Sequence, residues 1–261
     1  MQTGISELPS SIAKALALLR AVAIADTPPS FSALLKTTDL PKATLHRLLQ
    51  ELIEAGLIQP SPADRCYRPA VGLLELSYRA WEGLDLRQTA AKHLDALWQS
   101  TNETIHLAVR DDLEIIYIDK RESPKTLRLF SSIGRRGPLY CTGVGKAILA
   151  HLDPALRVQV IERLALRRHT RQTITDRREL VAALDAIREA GIAFDCGEHE
   201  DGIGCVAAPI FDRARRVIAS VSVTAPSMRM DQSRMTMLAP EVRATAEAIS
   251  RDITLSNCAT S

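Results

Sequence analysis

Residues 41–69, PKATLHRLLQELIEAGLIQPSPADRCYRP, combine two patterns that few folds can accommodate in succession. Pro41 suits the first position of a helix, and Gly56 suits the left-handed residue that closes one. The leucines and isoleucines between them recur at i, i+3, i+4, i+7 and i+8, which gives the helix a single apolar face. The residues that follow predict two short strands around a Ser-Pro-Ala-Asp turn. This stretch therefore predicts an amphipathic helix that leads directly into a hairpin.

Two shorter helical patterns precede this stretch. Ser10 or Ser11 is a suitable N-cap for a helix that ends before the Pro28-Pro29 pair, and a second helix is predicted around Phe31, Leu34 and Leu35. Three short helices followed by a hairpin are typical of a winged helix-turn-helix domain. We predict this domain over residues 8–69.

The third helix of such a domain places the exposed residues of its N-terminal part in the major groove of double-stranded DNA. Lysine and arginine there contact phosphate or guanine, and threonine contacts phosphate or a thymine methyl group. The candidate DNA-binding residues lie off the apolar face or in the hairpin: Lys42, Ala43, Thr44, His46, Arg47, Arg65 and Arg68. The alternative is a polar face that is only solvated. Charge does not decide between them, because residues 1–80 hold eight Lys/Arg against seven Asp/Glu.

The rest of the chain changes from helical to strand periodicity after Asn102. Residues 70–102 predict a helical linker, with Gly83 as a break, and residues 103–255 predict an α+β domain. The predicted strands and helices of this domain are TIHLAVR, LEIIYIDKR, TLRLF, a loop at 131–145 that leads into a helix from Gly143, helices near 154–165 and 176–190, strands at 192–196, 204–211 and 216–224, and a helix at 231–254.

Composition bounds the class of protein. The chain is 46% hydrophobic and 25% charged, with a net charge of +2, which is typical of a soluble globular protein. Its five cysteines are scattered and include no CxxC pair, as expected in a reducing cytosol. No stretch has the pattern of a signal peptide or a membrane span. We expect a cytoplasmic protein with no membrane partner.

The stretch EHEDGIGCVAAPIFD, residues 198–212, permits several kinds of site. Cys205 could be a nucleophile with His199 as its base, as in a metabolic enzyme that carries a helical accessory domain. Cys196, His199, Glu200 and Cys205 could hold a metal, although they lack the paired spacing of structural zinc sites. Cys205 could also be a small core residue or the wall of a ligand pocket. We favour the pocket wall and expect no catalytic residue, no metal and no cofactor.

The most basic stretch, RLALRRHTRQTITDRRE at residues 163–179, has no aromatic residue among its arginines. It bridges two predicted helices and ends at Thr175 or Asp176 as an N-cap. We expect a solvated surface here rather than a nucleic-acid site.

The chain resembles the IclR family of bacterial transcriptional regulators over nearly its whole length. PKATLHRLLQELIEAGLI is similar to the recognition helix and the start of the wing, IGRRGPLYCTGVGKAILA to the loop-into-helix segment, and DGIGCVAAPIFD to the G-x-x-C-x-A-A-P signature. The resemblance implies a helical linker used in dimerisation and a GAF-like effector-binding domain. It also implies a homodimer or tetramer that binds a palindromic operator. Tyr140 and Gly143 depart from the family, which often has His and Ala at these positions.

The family motifs also imply which residues contact the effector. Carried over by position, they are Gly143, Val144, Asp195, Cys205, Ser222 and Thr224. Free N–H groups at the start of the helix from Gly143 favour a carboxylate, and Ser222 and Thr224 alternate along a strand so that both hydroxyls face one side. We therefore expect a DNA-binding regulator that senses a small-molecule effector, an organic acid or an aromatic catabolite.

Overall fold

The computed structural model describes residues 5–76, 85–125 and 131–256. The chain divides into two compact units, and the division falls between residues 84 and 85. The predicted strand TLRLF and the predicted break at Gly83 lie outside the described residues.

The N-terminal unit contains three helices and a two-stranded hairpin. Their bounds are α1 Ser11–Ala23, α2 Phe31–Thr38, α3 Lys42–Glu54, β1 Ile58–Pro60 and β2 Tyr67–Pro69. Serine side chains cap the first two helices, since the Ser10 and Ser30 hydroxyls accept hydrogen bonds from the amides three residues later at 3.1 and 3.3 Å. The order of three helices and an antiparallel hairpin confirms the predicted winged helix-turn-helix.

The apolar face of α3 forms the centre of this unit. Leu45, Leu48 and Leu49 are almost fully buried and pack with Leu18 of α1 and Leu34 of α2. Each side chain of this size contributes roughly 1.5–3 kcal/mol when it leaves water. The helix begins one residue later than predicted because Pro41, at ψ 140°, is extended and serves as the N-cap.

The C-terminal unit begins with a long helix and builds one antiparallel sheet. Its elements are α4 Asp85–Thr101, β3 Thr104–Asp111, β4 Glu114–Arg121, β5 Arg136–Pro138, α5 Gly143–Ala150, α6 Pro154–Arg163, α7 Arg177–Ala190, β6 Ala193–Cys196, β7 Ile203–Phe211, β8 Val217–Pro226 and α8 Gln232–Ser256. The α+β fold class is confirmed. The strand β5 was not predicted, because three residues that include glycine and proline carry no alternating pattern.

The sheet has the order β5-β4-β3-β8-β7-β6. Alternate residues of β7 face different helices: an added Cβ at Gly143 of α5 would meet Cys205 and Ala207, whereas one at Gly204 would meet Met230, just before α8. The helices α5 and α8 therefore cover opposite faces of the sheet. All eight residues of α5 are buried, which places the start of this helix inside the unit.

Candidate functional sites

The exposed face of α3 carries the candidate DNA-binding residues of this helix. Lys42, Ala43, His46 and Arg47 are exposed and Thr44 is half-buried, all on the side away from the leucine core. Three residues, 39–41, connect α2 to α3, and Asp39 has a left-handed backbone at φ 52°. This tight connection is the turn of a helix-turn-helix.

The N-terminus of α3 is open to solvent. Pro41 supplies no side-chain cap, so the first amides of the helix keep their N–H groups available. Such amides bind phosphate well, because they point outward at the positive end of the helix dipole.

The arginines of the N-terminal unit differ in how readily their guanidinium groups could contact DNA. Arg47 pairs with Glu51 at 2.6 Å, and both side chains are about half exposed, so this pair contributes roughly 0–1 kcal/mol and can be exchanged for a phosphate. Arg68 makes two hydrogen bonds with Asp64, at 3.1 and 2.5 Å, which hold the pKa of that carboxyl well below its usual range. Arg65 is exposed at the hairpin turn. The structure thus leaves Arg65 more accessible than Arg68.

The C-terminal unit contains a cavity of about 70 Å³ between the start of α5 and the sheet. All six residues that the family motifs implied line it, and so do His199 and Glu200 from the cysteine stretch. Side chains that the sequence did not indicate also line it: His106, Tyr117, Ser131, Arg135, Arg136, Thr142 and Ile203. The hydroxyls of Ser222 and Thr224 lie 3.4 Å apart on one face of β8, as their alternation predicts.

The start of α5 presents two unpartnered amides to this cavity. The Thr142 hydroxyl accepts a hydrogen bond from Gly145 at 3.2 Å, and the Thr142 carbonyl accepts one from Lys146. Gly143 and Val144, the first two residues of the helix, line the cavity, and their N–H groups find no acceptor in the described part of the chain. The helix dipole and these N–H groups favour an anionic group here.

Asp195 is the acidic group of the cavity. It is only 6% exposed, and its Oδ1 accepts a hydrogen bond from the Glu198 amide at 2.7 Å. Burial raises the pKa of Asp195 to about 7, although this hydrogen bond opposes the shift. Burial also lowers the pKa of His106 to about 3, so that histidine is neutral and bridges Ser131 at 2.7 Å and Thr224 at 3.4 Å. The cavity therefore changes charge near neutral pH at Asp195.

Cys205 lies in the wall of the cavity, 5% exposed. Burial raises the pKa of its thiol to about 12, and burial lowers the pKa of His199 to about 4. A thiol in this state is protonated at neutral pH and is a poor nucleophile. The geometry gives no support to the Cys205/His199 enzyme alternative.

Gly143 departs from the family for a local steric reason. A Cβ at this position would lie 2.7 Å from Cys205 Sγ, so an alanine would require the cysteine to shift. Tyr140, the other departure, does not line the cavity; its hydroxyl donates to the carbonyl of Arg167 at 2.6 Å.

The residues proposed for a metal do not converge. Within residues 5–76, 85–125 and 131–256, no three His, Cys, Asp or Glu side chains are placed to hold a metal ion. Cys196 is exposed on β6, while Cys205 faces the cavity.

A buried ion pair beneath the cavity was not predicted. Lys146 Nζ contacts Glu198 Oε1, and the two residues are 3% and 7% exposed. Glu198 Oε2 has no hydrogen-bond partner among the residues that the structure describes. Burial raises the pKa of Glu198, and the ammonium of Lys146 opposes that shift. The only sequence signal was the G-K-A motif itself, whose lysine falls on an otherwise apolar helix.

The basic stretch at 163–179 has a second role besides solvation. Its arginines are exposed, as predicted. Two threonines of the same stretch are buried, and they donate to the turn after β6: Thr170 to the Gly197 carbonyl at 2.7 Å and Thr173 to the Glu198 carbonyl at 2.6 Å. This loop therefore holds the turn that positions Asp195 and Glu198.

Comparison with protein families matches both units. The model of the IclR helix-turn-helix domain matches residues 11–62, and that of the bacterial transcriptional regulator IclR C-terminal domain matches residues 78–251. The HTH-type transcriptional regulator KdgR of Escherichia coli K12 is 35% identical over 226 residues, which cover 87% of this chain and 86% of KdgR. XynR of the same strain is 34% identical over 238 residues, which cover 89% of this chain and 94% of XynR.

Solved structures match more than nine tenths of the chain. The crystal structure of the Thermotoga maritima IclR is 29% identical, covers 93% of this chain and 98% of that one, and has a TM-score of 0.77. The crystal structure of an IclR homolog from Microbacterium hydrocarbonoxydans, complexed with 4-hydroxybenzoate, is 25% identical and has a TM-score of 0.80. The match covers 94% of this chain and 99% of that one. These relatives are regulators and not enzymes. The chain belongs to the IclR family of bacterial transcriptional regulators, with an N-terminal helix-turn-helix DNA-binding domain and a C-terminal effector domain.

Proposed function

We propose that this protein binds a palindromic operator as a dimer or tetramer in the cytoplasm and releases or engages it in response to a short organic acid. The DNA-binding domain comprises residues 8–69, the dimerisation linker residues 70–102 and the effector-binding domain residues 103–255. The observation that carries this proposal is the pair of unpartnered Gly143 and Val144 amides, which line the cavity beside Asp195. Among the described residues no helix is long and apolar enough to cross a membrane.

The exposed start of α3 supports the proposed contacts with operator DNA. Its free amides and the side chains of Lys42 and Thr44 suit the phosphate backbone, and Arg47 lies one turn further along the same exposed face. Arg65 suits the backbone beside the hairpin. Arg68 would contact DNA only after leaving Asp64.

We expect Arg47→Ala to weaken operator binding by about 1–3 kcal/mol, roughly 5- to 150-fold, because a guanine or phosphate contact is lost. Footprinting on the DNA upstream of the gene, at two salt concentrations, identifies the operator and measures this loss. Arg178→Ala is the matched control, since Arg178 is exposed on α7 and belongs to the other unit. Equal affinity for wild type and Arg47→Ala would remove Arg47 from the DNA interface. A footprint that does not weaken with added salt would count against the whole assignment of the first unit.

The size of the cavity supports a short effector. An apolar cavity of about 150 Å³ holds benzene, and this one measures about 70 Å³. A 2-oxo acid such as pyruvate fits it better than an aromatic acid does. Its carboxylate would accept from the Gly143 and Val144 amides, while Ser222 and Thr224 offer hydroxyls to its carbonyl oxygen.

The affinity for pyruvate is expected to fall about tenfold from pH 6 to pH 8. A carboxylate beside Asp195 favours the protonated form of that side chain, and with a pKa of about 7 this form is lost as pH rises through neutrality. The pKa values of His106, His199 and Cys205, about 3, 4 and 12, place their titrations outside this window. Isothermal titration calorimetry at both pH values measures the change.

Asp195→Asn is the matched control for this pH dependence, because the amide keeps the size of the side chain and does not titrate. Its pyruvate affinity should be the same at pH 6 and pH 8. An equal pH dependence in wild type and variant would show that Asp195 is not beside the ligand. Tighter binding of 4-hydroxybenzoate than of pyruvate would contradict the size argument.

Exposed apolar residues in the first unit support a dimer. Ile12 and Leu16, one turn apart on α1, are 74% and 58% exposed, and Val71 and Leu74 are 68% and 67% exposed. A face of this kind on a soluble domain is typical of a surface that is covered by a partner. A second copy of this chain is the partner that a palindromic operator requires.

A further inference from the structure

A second concave surface lies on the C-terminal unit, away from the cavity beside Asp195. It is a groove of about 920 Å³ between the ends of α7 and α8 and the turn that joins β7 to β8. None of its lining residues lines the smaller cavity. Its volume is that of a typical small-molecule site, which spans roughly 300–1,000 Å³.

The floor of the groove is apolar and its rim is basic. Ala208, Pro209 and Ala246 are buried in the floor, and Phe211 is half-buried beside them. The rim carries five arginines from three separate elements: Arg188, Arg213, Arg215, Arg243 and Arg251. Aromatic and aliphatic surface below several guanidinium groups suits a ligand with an apolar body and several negative charges.

The acidic groups of the groove do not neutralise this rim. Asp212 and Glu247 are the two carboxylates that line it, and Asp212 is held by Arg216 at 2.7 Å. The guanidinium groups of Arg188 and Arg251 have no ion-pair partner in the portion of the chain that the structure describes. Arg215 lies over the Phe211 ring, 5.5 Å from its centroid, and Arg243 donates to the Ala190 carbonyl. An excess of positive charge therefore remains.

The spacing of the arginines sets the shape of the ligand. Arg243 and Arg251 are eight residues apart on α8, which corresponds to roughly 12 Å along a helix axis. A ligand whose negative charges are spread along its length can contact both ends of this row of arginines. Guanidinium groups bind carboxylate and phosphate oxygens alike in a bidentate manner, and a chain of linked phosphates offers such oxygens to several of these arginines at once.

We infer that this groove is a second ligand site, which binds an elongated organic polyanion of the nucleoside polyphosphate class. The phosphates contact the arginine rim, and the ring system lies on the floor formed by Ala208, Pro209 and Ala246. The site does not depend on the operator or on the acid that occupies the smaller cavity, so it can be tested without either.

Calorimetric titration of the full-length protein with ATP tests this inference. Saturable binding is expected, and Arg188→Gln/Arg251→Gln should weaken it about tenfold or more, because two charge-assisted contacts are lost. Both side chains are exposed, so the variant should fold normally. Arg171→Gln/Arg178→Gln removes the same charge from exposed positions outside the groove and should bind ATP as the wild type does.

Adenosine and inorganic tripolyphosphate separate the two halves of the ligand, and each should bind more weakly than ATP. The inference is overturned if ATP does not bind saturably or if the control variant loses as much affinity as the groove variant. It is also overturned if either fragment binds as tightly as ATP. A loss of operator affinity in the groove variant, without any ATP binding, would instead identify the groove as a DNA-backbone surface.

Discussion

Replacing Lys146 with methionine is expected to lower the free energy of unfolding of the C-terminal unit by about 3–5 kcal/mol, the usual result of removing one partner of a buried ion pair. Methionine fills most of the volume of the lysine stem, so the loss reports charge rather than a cavity. Glu198 would be left 7% exposed without a cation, with one oxygen already unpartnered. Urea denaturation of wild type and variant measures the difference.

The same substitution is expected to change the dependence of stability on pH. In the wild type the Lys146 ammonium opposes the rise in the pKa of Glu198 that burial causes. Without the ammonium, the pKa of Glu198 rises further above its value in the unfolded chain. A group with a raised pKa contributes stability at low pH and loses it as pH rises. Lys146→Met should therefore be closest to wild type in acid and furthest from it at neutral pH.

The double variant Lys146→Met/Glu198→Leu is the control for this prediction. Replacing both partners of a buried pair by apolar side chains removes the unpaired charge, and such replacements are often nearly neutral. We expect the double variant to recover at least about 2 kcal/mol of the loss. A loss below about 1 kcal/mol in Lys146→Met, or no recovery in the double variant, would show that the pair does not stabilise the unit.

The fold could be predicted from the sequence where one local pattern decided each element. The leucine spacing in α3, the Gly56 closure and the Ser10 cap are all local signals, and the two helices that they predict lie close to where they were expected. The strand β5 was missed because its three residues show no alternation of apolar and polar side chains. They form a strand only because they pair with β4 in the folded sheet. Element bounds depend on the backbone angles of single residues, as Pro41 shows.

Only the residues of the candidate site that belong to local motifs could be predicted from the sequence. Gly143, Asp195 and Cys205 belong to recognisable motifs, and the structure brings them to one cavity. His106 and Ser131 lie 25 residues apart in the chain and meet only through the sheet. Thr170 and Thr173 contact residues of the turn after β6 that lie 27 and 25 positions away in the chain. No periodicity in the sequence signals such long-range polar contacts.

Under the proposed function, operator affinity depends most strongly on dimer formation. One winged helix-turn-helix reads one half-site, and a second copy bound in the same complex raises the affinity through effective concentration, by roughly 10²- to 10⁴-fold. The apolar side chains of Ile12 and Leu16 lie outside the core of the N-terminal unit, at 74% and 58% exposure. Charges placed there should prevent association and leave the fold intact.

The double variant Ile12→Glu/Leu16→Glu is therefore expected to be monomeric and to bind the operator about 100-fold more weakly or worse. Analytical ultracentrifugation measures the association state, and a mobility shift on the footprinted operator measures the affinity. Val158→Glu/Met237→Glu is the matched control, since those side chains are 57% and 62% exposed in the C-terminal unit. A monomeric variant that keeps wild-type operator affinity would show that one copy reads the whole operator. A variant that stays dimeric would instead place the interface away from α1, with the exposed side chains of Val71 and Leu74 as the next surface to test in the same way.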